Sequence, residues 1–312
     1  MISGAVGDVS SVDGGFTFHQ PVIAPVLTLP LGSRVLIESR ADLRGFISRP
    51  ASGGSYDQQF FSTLEYAQAD FLINSRLTFV AGRYLTPFGI YTERVSPIWI
   101  RNFQETPIIF PIGTRTSGSS NGAMVRGAIY DNDAVSVSYT AYFSALSGVN
   151  ILESGRAAGG RGGVFFKKPR LEIGASYQRF LQNTHFNASG AYLSFQPRAL
   201  PADIMGEFAH SPSGYGYWLE ALTREPTSVP ASWLRRVQVG VRGQQFVRKA
   251  FLTGDSLPLH NTQQIDGAFN YYFPKEVRFT FSYGRRFTSV GDANVWNVGL
   301  TYRFMLPIGG HS

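Results

Sequence analysis

The chain has 312 residues, of which 43% are hydrophobic and 16% charged, and arginine supplies most of its net charge of +7. The absence of cysteine excludes disulfides and cysteine-based metal sites. No run approaches the roughly 18 consecutive apolar residues that a membrane-spanning helix needs, which excludes a helical membrane protein. Low charge together with abundant Phe, Tyr and Gly is typical of strands that alternate apolar and polar residues.

The N-terminal residues 1–15 lack the charged start and the apolar core of a secretion signal. We therefore predict that they form an N-terminal extension of a mature or truncated chain. Segment 22–29 is apolar but contains Pro25, and whether it adds a strand is left open.

Period-two alternation begins near residue 34 and recurs to residue 304, whereas helical spacing is nowhere sustained for three turns. In segment 134–145, for example, Val137, Tyr139 and Phe143 share one face, and Ser138 and Thr140 lie on the other. Further alternating segments cover residues 34–44, 236–242, 264–273, 277–283 and 296–304, and their apolar faces carry no charge. The pattern predicts an all-β protein with one face toward lipid and one toward water.

Connections between these segments alternate in length, as in outer-membrane barrels with short periplasmic turns and long extracellular loops. Tight turns are predicted at residues 74–75, 131–133, 167–170 and 274–276, and longer connections at 49–57, 84–121, 146–160, 247–262 and 289–293. The scheme predicts an antiparallel transmembrane β-barrel of about fourteen strands, within a range of about 12 to 16. The barrel is predicted to span residues 16–305, followed by a C-terminal tail at 306–312. Several segments are longer than the strands of a soluble β-sandwich, which argues against that alternative.

Two stretches resemble the broad phosphate-selective porin superfamily. The first is Ala-Gly-Arg-Tyr-Leu-Thr-Pro-Phe-Gly at 81–89, and the second is the closing strand with Asn297, Gly299, Tyr302 and Phe304. The resemblance implies a water-filled, trimeric diffusion channel in a bacterial outer membrane. Residues 305–312 follow the final aromatic, and a lysine-rich ladder is missing, so phosphate selectivity is not carried over.

Inward side chains of a barrel determine what passes through it. The predicted pore-lining cations are Arg40, Arg44, Arg126, Arg242, Arg278 and Arg286. The predicted pore-lining anions are Glu38, Asp42 and Asp266, with Glu65 and Glu207 offsetting further charge. Two interpretations stay open: these charges brace the wall, or they give the channel a mild preference for anions.

The long connection 84–121 is the predicted constriction element, because its apolar pieces 98–100 and 107–110 are too hydrophobic for a freely solvated loop. Its candidate eyelet charges are Glu93, Arg94, Arg101, Glu105 and Arg115. The alternative is an exterior loop that packs on the rim or at a trimer contact.

Enzymatic chemistry is not indicated. The five histidines are scattered without metal-ligand spacing, and we predict no catalytic residue, metal or cofactor. The Gly-rich run 159–163 lacks the Lys-Ser/Thr of a phosphate-binding loop and is interpreted as a flexible loop end. Arginines alternate with apolar residues instead of forming one patch, which argues against nucleic acid.

The sequence thus predicts an outer-membrane porin, a passive diffusion channel for small hydrophilic solutes with mild anion preference. Its predicted partners are membrane lipid and lipopolysaccharide, small hydrophilic solutes or anions, and further copies in a homotrimer. The alternative is an occluded structural or ligand-docking barrel, for which a plug formed by residues 1–31 would be the sign.

Overall fold

A computed structural model describes residues 1–13, 16–49, 53–109, 118–182, 185–224, 233–251 and 257–306. The described residues form sixteen antiparallel strands that close into one barrel, because β1 pairs with β16. The strands are β1 (Ile2–Asp13), β2 (Phe16–Leu31), β3 (Val35–Arg49), β4 (Asp57–Asn74), β5 (Leu77–Leu85), β6 (Ser119–Asp131), β7 (Val135–Ala145), β8 (Ala157–Phe166), β9 (Leu171–Phe180), β10 (Phe186–Phe195), β11 (Ala202–Ser211), β12 (Gly214–Thr223), β13 (Val237–Arg248), β14 (Thr262–Phe273), β15 (Val277–Thr288) and β16 (Gly291–Leu306).

Short helical turns occur in the connections: a π-helix at Tyr91–Val95 and 3₁₀ turns at Asn150–Leu152 and Leu234–Arg236. Within the described ranges, every helix is too short or too polar to cross a membrane.

The alternation of side chains gives the barrel two chemically different faces. In β14, Asp266 and Asn270 are buried in the interior, whereas Ile265 and Phe269 are 66% and 38% exposed on the outer face. Successive strand residues point to opposite sides of a sheet, so a period-two sequence yields an apolar exterior and a polar interior. The predicted all-β antiparallel barrel is confirmed.

The predicted strand number was too low, because the described chain has sixteen strands and not fourteen. The fourteen expected strands correspond to β3–β16, and the missing pair is β1 and β2. The predicted extension at 1–15 was therefore wrong: Ile2–Asp13 is a wall strand that closes the barrel. Likewise, the described residues of segment 1–31 form wall strands and do not plug the lumen.

Strand β2 was obscured by its prolines. The residue pairs between β2 and β3 are interrupted at Pro21 and Pro25, which have no backbone N–H to donate. Pro21 instead lies beside Gly45, where an added Cβ would be 3.0 Å from the proline ring. At the other terminus, β16 ends at Leu306, so the predicted tail at 306–312 begins within the strand, and residues 307–312 lie outside the described part.

Both ends of the chain lie at the same end of the barrel as the β2–β3 and β4–β5 turns, which we call the turn end; the opposite end is the loop end. The predicted alternation of connection lengths holds only in part. Residues 289–290 alone join β15 to β16, so the long connection expected at 289–293 is wrong, and the turn-end connection 224–236 is long. The Gly-rich run 159–163 lies within β8 and is not a loop end.

Candidate functional site

Residues 86–118 connect β5 to β6, and we call this connection the inner loop; its described part folds into the lumen. Its described residues are 86–109 and 118. It turns inward at Gly89, whose φ of +65° is readily adopted by glycine alone, and where a Cβ would be 2.6 Å from the Glu207 carboxylate. The end of the 81–89 motif therefore marks the point at which the chain turns inward.

Hydrogen bonds to wall strands fix the first turn of the inner loop. The Glu207 Oε1 atom of β11 accepts hydrogen bonds from the backbone N–H groups of Ile90 and Tyr91, the latter at 2.6 Å. Arg161 of β8 donates to the Gly89 carbonyl at 2.7 Å. Buried backbone N–H and carbonyl groups need hydrogen-bond partners. Because the irregular loop cannot pair all of these groups with its own backbone, side chains of the wall strands provide the partners.

Charged residues of the π-helix contact the wall and not the open lumen. Glu93 forms an ion pair with Arg161, and Arg94 donates two hydrogen bonds to the Glu172 carboxylate of β9, at 2.6 and 2.8 Å. The hydrogen bonds with Glu172 raise the pKa of Arg94 above its usual value. These two candidate eyelet residues are therefore loop anchors.

Apolar side chains of the inner loop pack on the inner face of β10, β12 and β13. Phe88, Tyr91, Val95, Ile108 and Ile109 form one buried cluster with wall residues Ala188, Trp218 and Phe246. The rings of Tyr91 and Trp218 meet edge to face, with centroids 5.8 Å apart. Ile108 and Ile109 of the second apolar piece thus pack inside the barrel.

A buried ionic group secures the returning half of the loop. Arg242 of β13 pairs with Asp266 of β14 at 3.2 Å and donates to the Glu105 carbonyl at 3.0 Å. The Glu105 carboxylate lies 3.5 Å from Arg286 and accepts a hydrogen bond from Gln264 at 3.3 Å. Burial raises the pKa of Glu105 above its usual value, although both arginines oppose that shift.

The tip of the inner loop reaches across to the N-terminal strands. Ile98 packs with Ala5, Val22 and Ala24, and its carbonyl accepts a hydrogen bond from Arg278 at 2.5 Å. Arg101 forms hydrogen bonds within the loop itself, donating to the carbonyls of Ser96 and Gln104. The loop therefore follows the inner wall from β8 to β2. We call the inner face of β8–β15 the covered wall.

A cavity of about 900 Å³ lies inside the barrel beside the inner loop. Its lining includes the inner face of β3–β5, which we call the open wall. Among its described lining residues, four arginines meet three carboxylates. They are Arg40, Arg44, Arg83, Arg101, Asp42, Glu65 and Glu153. The described lining therefore carries one excess positive charge.

Open-wall arginines retain some contact with the cavity. Arg44 pairs with Asp42 at 2.9 Å, and the side chains are 15% and 18% exposed. Arg83 donates to Asn121 at 2.9 Å and to the Glu153 carbonyl at 3.1 Å. A β-bulge at Arg40 brings Glu65 within 3.6 Å of the guanidinium.

The structure divides the predicted pore-lining set. Arg40, Arg44 and Asp42 line the cavity. Glu38 and Arg126 lie nearer the turn end, where Arg126 pairs with Asp70 at 2.6 Å. The others lie on the covered wall beneath the inner loop: Arg242, Arg278, Arg286, Asp266 and Glu207.

The candidate constriction charges divide in the same way. Glu93, Arg94 and Glu105 face the wall, and Arg101 lines the cavity while holding the loop backbone. Arg115 lies outside the described residues.

Three residues of the site were not predicted from the sequence: Arg83, Arg161 and Glu172. Arg83 lies within the 81–89 motif, and its place in that motif could have marked it as a pore-lining residue. Arg161 was hidden because the glycines around it were taken for a loop, although they belong to β8. Glu172 is the second residue of β9, and no pattern in the sequence marks it as a loop partner.

Solved structures match this chain along nearly its whole length. The anion-selective porin from Comamonas acidovorans matches with a TM-score of 0.59 at 11% identity, covering 97% of this chain and 99% of that chain. Salmonella typhi OmpF in complex with daunomycin matches with a TM-score of 0.60 at 14% identity, covering 97% of each. A triple mutant of the Rhodopseudomonas blastica porin gives 0.58 at 9% identity, covering 97% and 99%.

The chain thus has the general porin fold, a 16-strand barrel that matches bacterial outer-membrane porins. No family model and no curated protein matches its sequence.

Proposed function

We propose that this chain is an outer-membrane porin, a passive diffusion channel for small hydrophilic solutes with a mild preference for anions. The observation that carries the proposal is the inner loop, which packs on the covered wall and leaves a cavity of about 900 Å³ along an arginine-bearing open wall. Fixed charge in a low-dielectric passage raises the local concentration of the oppositely charged ion. The Comamonas acidovorans structure with the same fold is titled an anion-selective porin, which supports this choice.

Phosphate selectivity is not part of the proposal. The chain's four lysines lie in connections and not on the described lumen wall: Lys167, Lys168, Lys249 and Lys275. Assembly as a homotrimer, contact with lipid and lipopolysaccharide, and the absence of enzymatic activity remain parts of the proposal. Cross-linking of purified protein in lipid tests the trimer.

Conductance in a planar bilayer tests the function. Purified protein is expected to insert with stepwise increases in KCl conductance, and a barrel that folds but never conducts would favour the occluded structural alternative. In a KCl gradient, the reversal potential is expected to indicate chloride permeability modestly above potassium permeability. A potential of the opposite sign would refute the anion preference while leaving the channel intact.

A further inference from the structure

Aromatic side chains line the same cavity as the open-wall arginines. The rings facing it in the described residues include Phe46, Phe61, Tyr91, Trp99 and Phe180. Exposing apolar surface to a water-filled passage is unfavourable unless a partner covers it. A lining that combines aromatic faces with arginines indicates a solute that has both an apolar face and a negative charge.

The first such combination lies near the loop end. Arg44 of β3 is directly opposite Phe61 of β4 in the register, and facing Cβ atoms in an antiparallel pair are about 4.5–5.5 Å apart. Phe46 lies two residues beyond Arg44 on the same face of β3, and its ring centroid is 5.1 Å from that of Phe18. We call Arg44, Phe46 and Phe61 the loop-end site.

The second combination lies deeper in the barrel. The Arg40 guanidinium is 5.3 Å from the Tyr66 ring centroid and 5.8 Å from that of Trp99 on the inner loop. Its distance of 3.6 Å to Glu65 is longer than a hydrogen bond, so that ion pair is loose. We call Arg40, Tyr66 and Trp99 the mid-barrel site.

The spacing of the two sites suits stepwise passage of one small molecule. Arg40 and Arg44 are four residues apart on one strand and on the same face, which places their Cα atoms roughly 14 Å apart. A guanidinium binds a carboxylate through a planar pair of N–H donors, and an aromatic face beside it accepts a second ring. An inorganic anion would contact the arginines but would leave the aromatic rings exposed to water.

We infer that the loop-end and mid-barrel sites bind small aromatic carboxylates, so that these are the substrate class of the channel. The inference rests on the proposed function, since it requires a conducting lumen. The carboxylate meets Arg44 and then Arg40, and the ring lies on Phe61 or Phe46 and then on Trp99.

Benzoate, added to single channels in KCl, is the test solute. It is expected to reduce the ionic current in a saturable manner, with a half-blocking concentration at least about threefold below that of cyclohexanecarboxylate, which has the charge but no aromatic face. Acetate tests whether a carboxylate without a ring blocks the current, and benzyl alcohol tests whether a ring without a charge does so. Glucose tests whether the cavity binds a carbohydrate instead.

Matched variants locate the binding. Phe61→Leu is expected to raise the half-blocking concentration of benzoate about threefold to tenfold. Phe60→Leu is the control, because Phe60 is the adjacent residue, does not line the cavity and is 70% exposed. Arg44→Gln is expected to weaken the block about tenfold or more, as a charge-assisted hydrogen bond is lost.

The outcomes separate the inference from the proposed function. A protein that never conducts KCl overturns both. A conducting channel in which benzoate and cyclohexanecarboxylate block equally overturns the inference alone, as does a channel blocked equally by benzyl alcohol or preferentially by glucose. Equal effects of Phe61→Leu and Phe60→Leu, with both barrels folded by circular dichroism, would also overturn it.

Discussion

The covered wall and the open wall of the barrel carry the same kinds of residue and use them differently. On the covered wall, the side chains of Arg242 and Asp266 are 2% and 6% exposed, because the inner loop lies over them. On the open wall, those of Arg44 and Asp42 are 15% and 18% exposed and line the cavity. An inward arginine is thus a loop anchor or a pore charge according to what packs over it.

The largest expected effect comes from breaking an ion pair on the covered wall. Asp266→Ala leaves the buried Arg242 guanidinium without its carboxylate, and we expect the free energy of unfolding to fall by about 3–5 kcal/mol. Urea unfolding of the barrel in lipid or detergent measures the change. Asp292→Ala is the control, because its pair with Arg285 is exposed and contributes about 0–1 kcal/mol. Equal effects of the two substitutions would contradict the anchoring role.

The hinge of the inner loop gives the next largest effect. Gly89→Ala is expected to cost about 1–3 kcal/mol, since alanine is strained at this φ and its Cβ would collide with Glu207. Gly32→Ala isolates the backbone contribution, because Gly32 has a φ of +68° and no atom near the position of its Cβ. If the two variants lose equal stability, the contact with Glu207 does not constrain the loop.

Charge removal on the open wall is expected to change the ion selectivity of the channel. The double variant Arg40→Gln and Arg44→Gln lowers the positive charge of the cavity, so the chloride-to-potassium permeability ratio should fall severalfold, an effect of about 1 kcal/mol. Reversal potentials in a KCl gradient measure the ratio. Arg285→Gln removes one positive charge from an exposed position outside the cavity and should leave the ratio unchanged.

The smallest expected effect is a dependence of channel noise on pH. Because burial raises the pKa of Glu105, its carboxylate takes up a proton at a higher pH than an ordinary glutamate as the solution is acidified. Protonation removes the attraction to Arg286, and the returning half of the loop should fluctuate more. Single-channel recordings between about pH 7 and pH 4 should show rising noise. Glu105→Gln should be noisy throughout and lose this pH dependence, and an unchanged profile would assign it to another group.

Some strands could be predicted from the local sequence pattern, and others could not. The faces of β14, β15 and β16 could be predicted because each depends only on alternation within one strand. Strands β1 and β2 were missed, because prolines at 21, 25 and 30 obscure β2 and because β1 pairs with β16, at the far end of the sequence. Arg161 was overlooked for a different reason, because the Gly-rich run around it was interpreted as a loop end although it belongs to β8.

The sequence by itself determined which side chains point inward and which meet lipid, because a strand places alternate residues on opposite faces whatever its neighbours are. It also indicated that segments 98–100 and 107–110 were too apolar to remain in water. Only the tertiary structure decided which wall the inner loop covers, because that depends on long-range partners such as Glu207 and Arg242. Those partners separate the buried anchors from the arginines that still face the cavity.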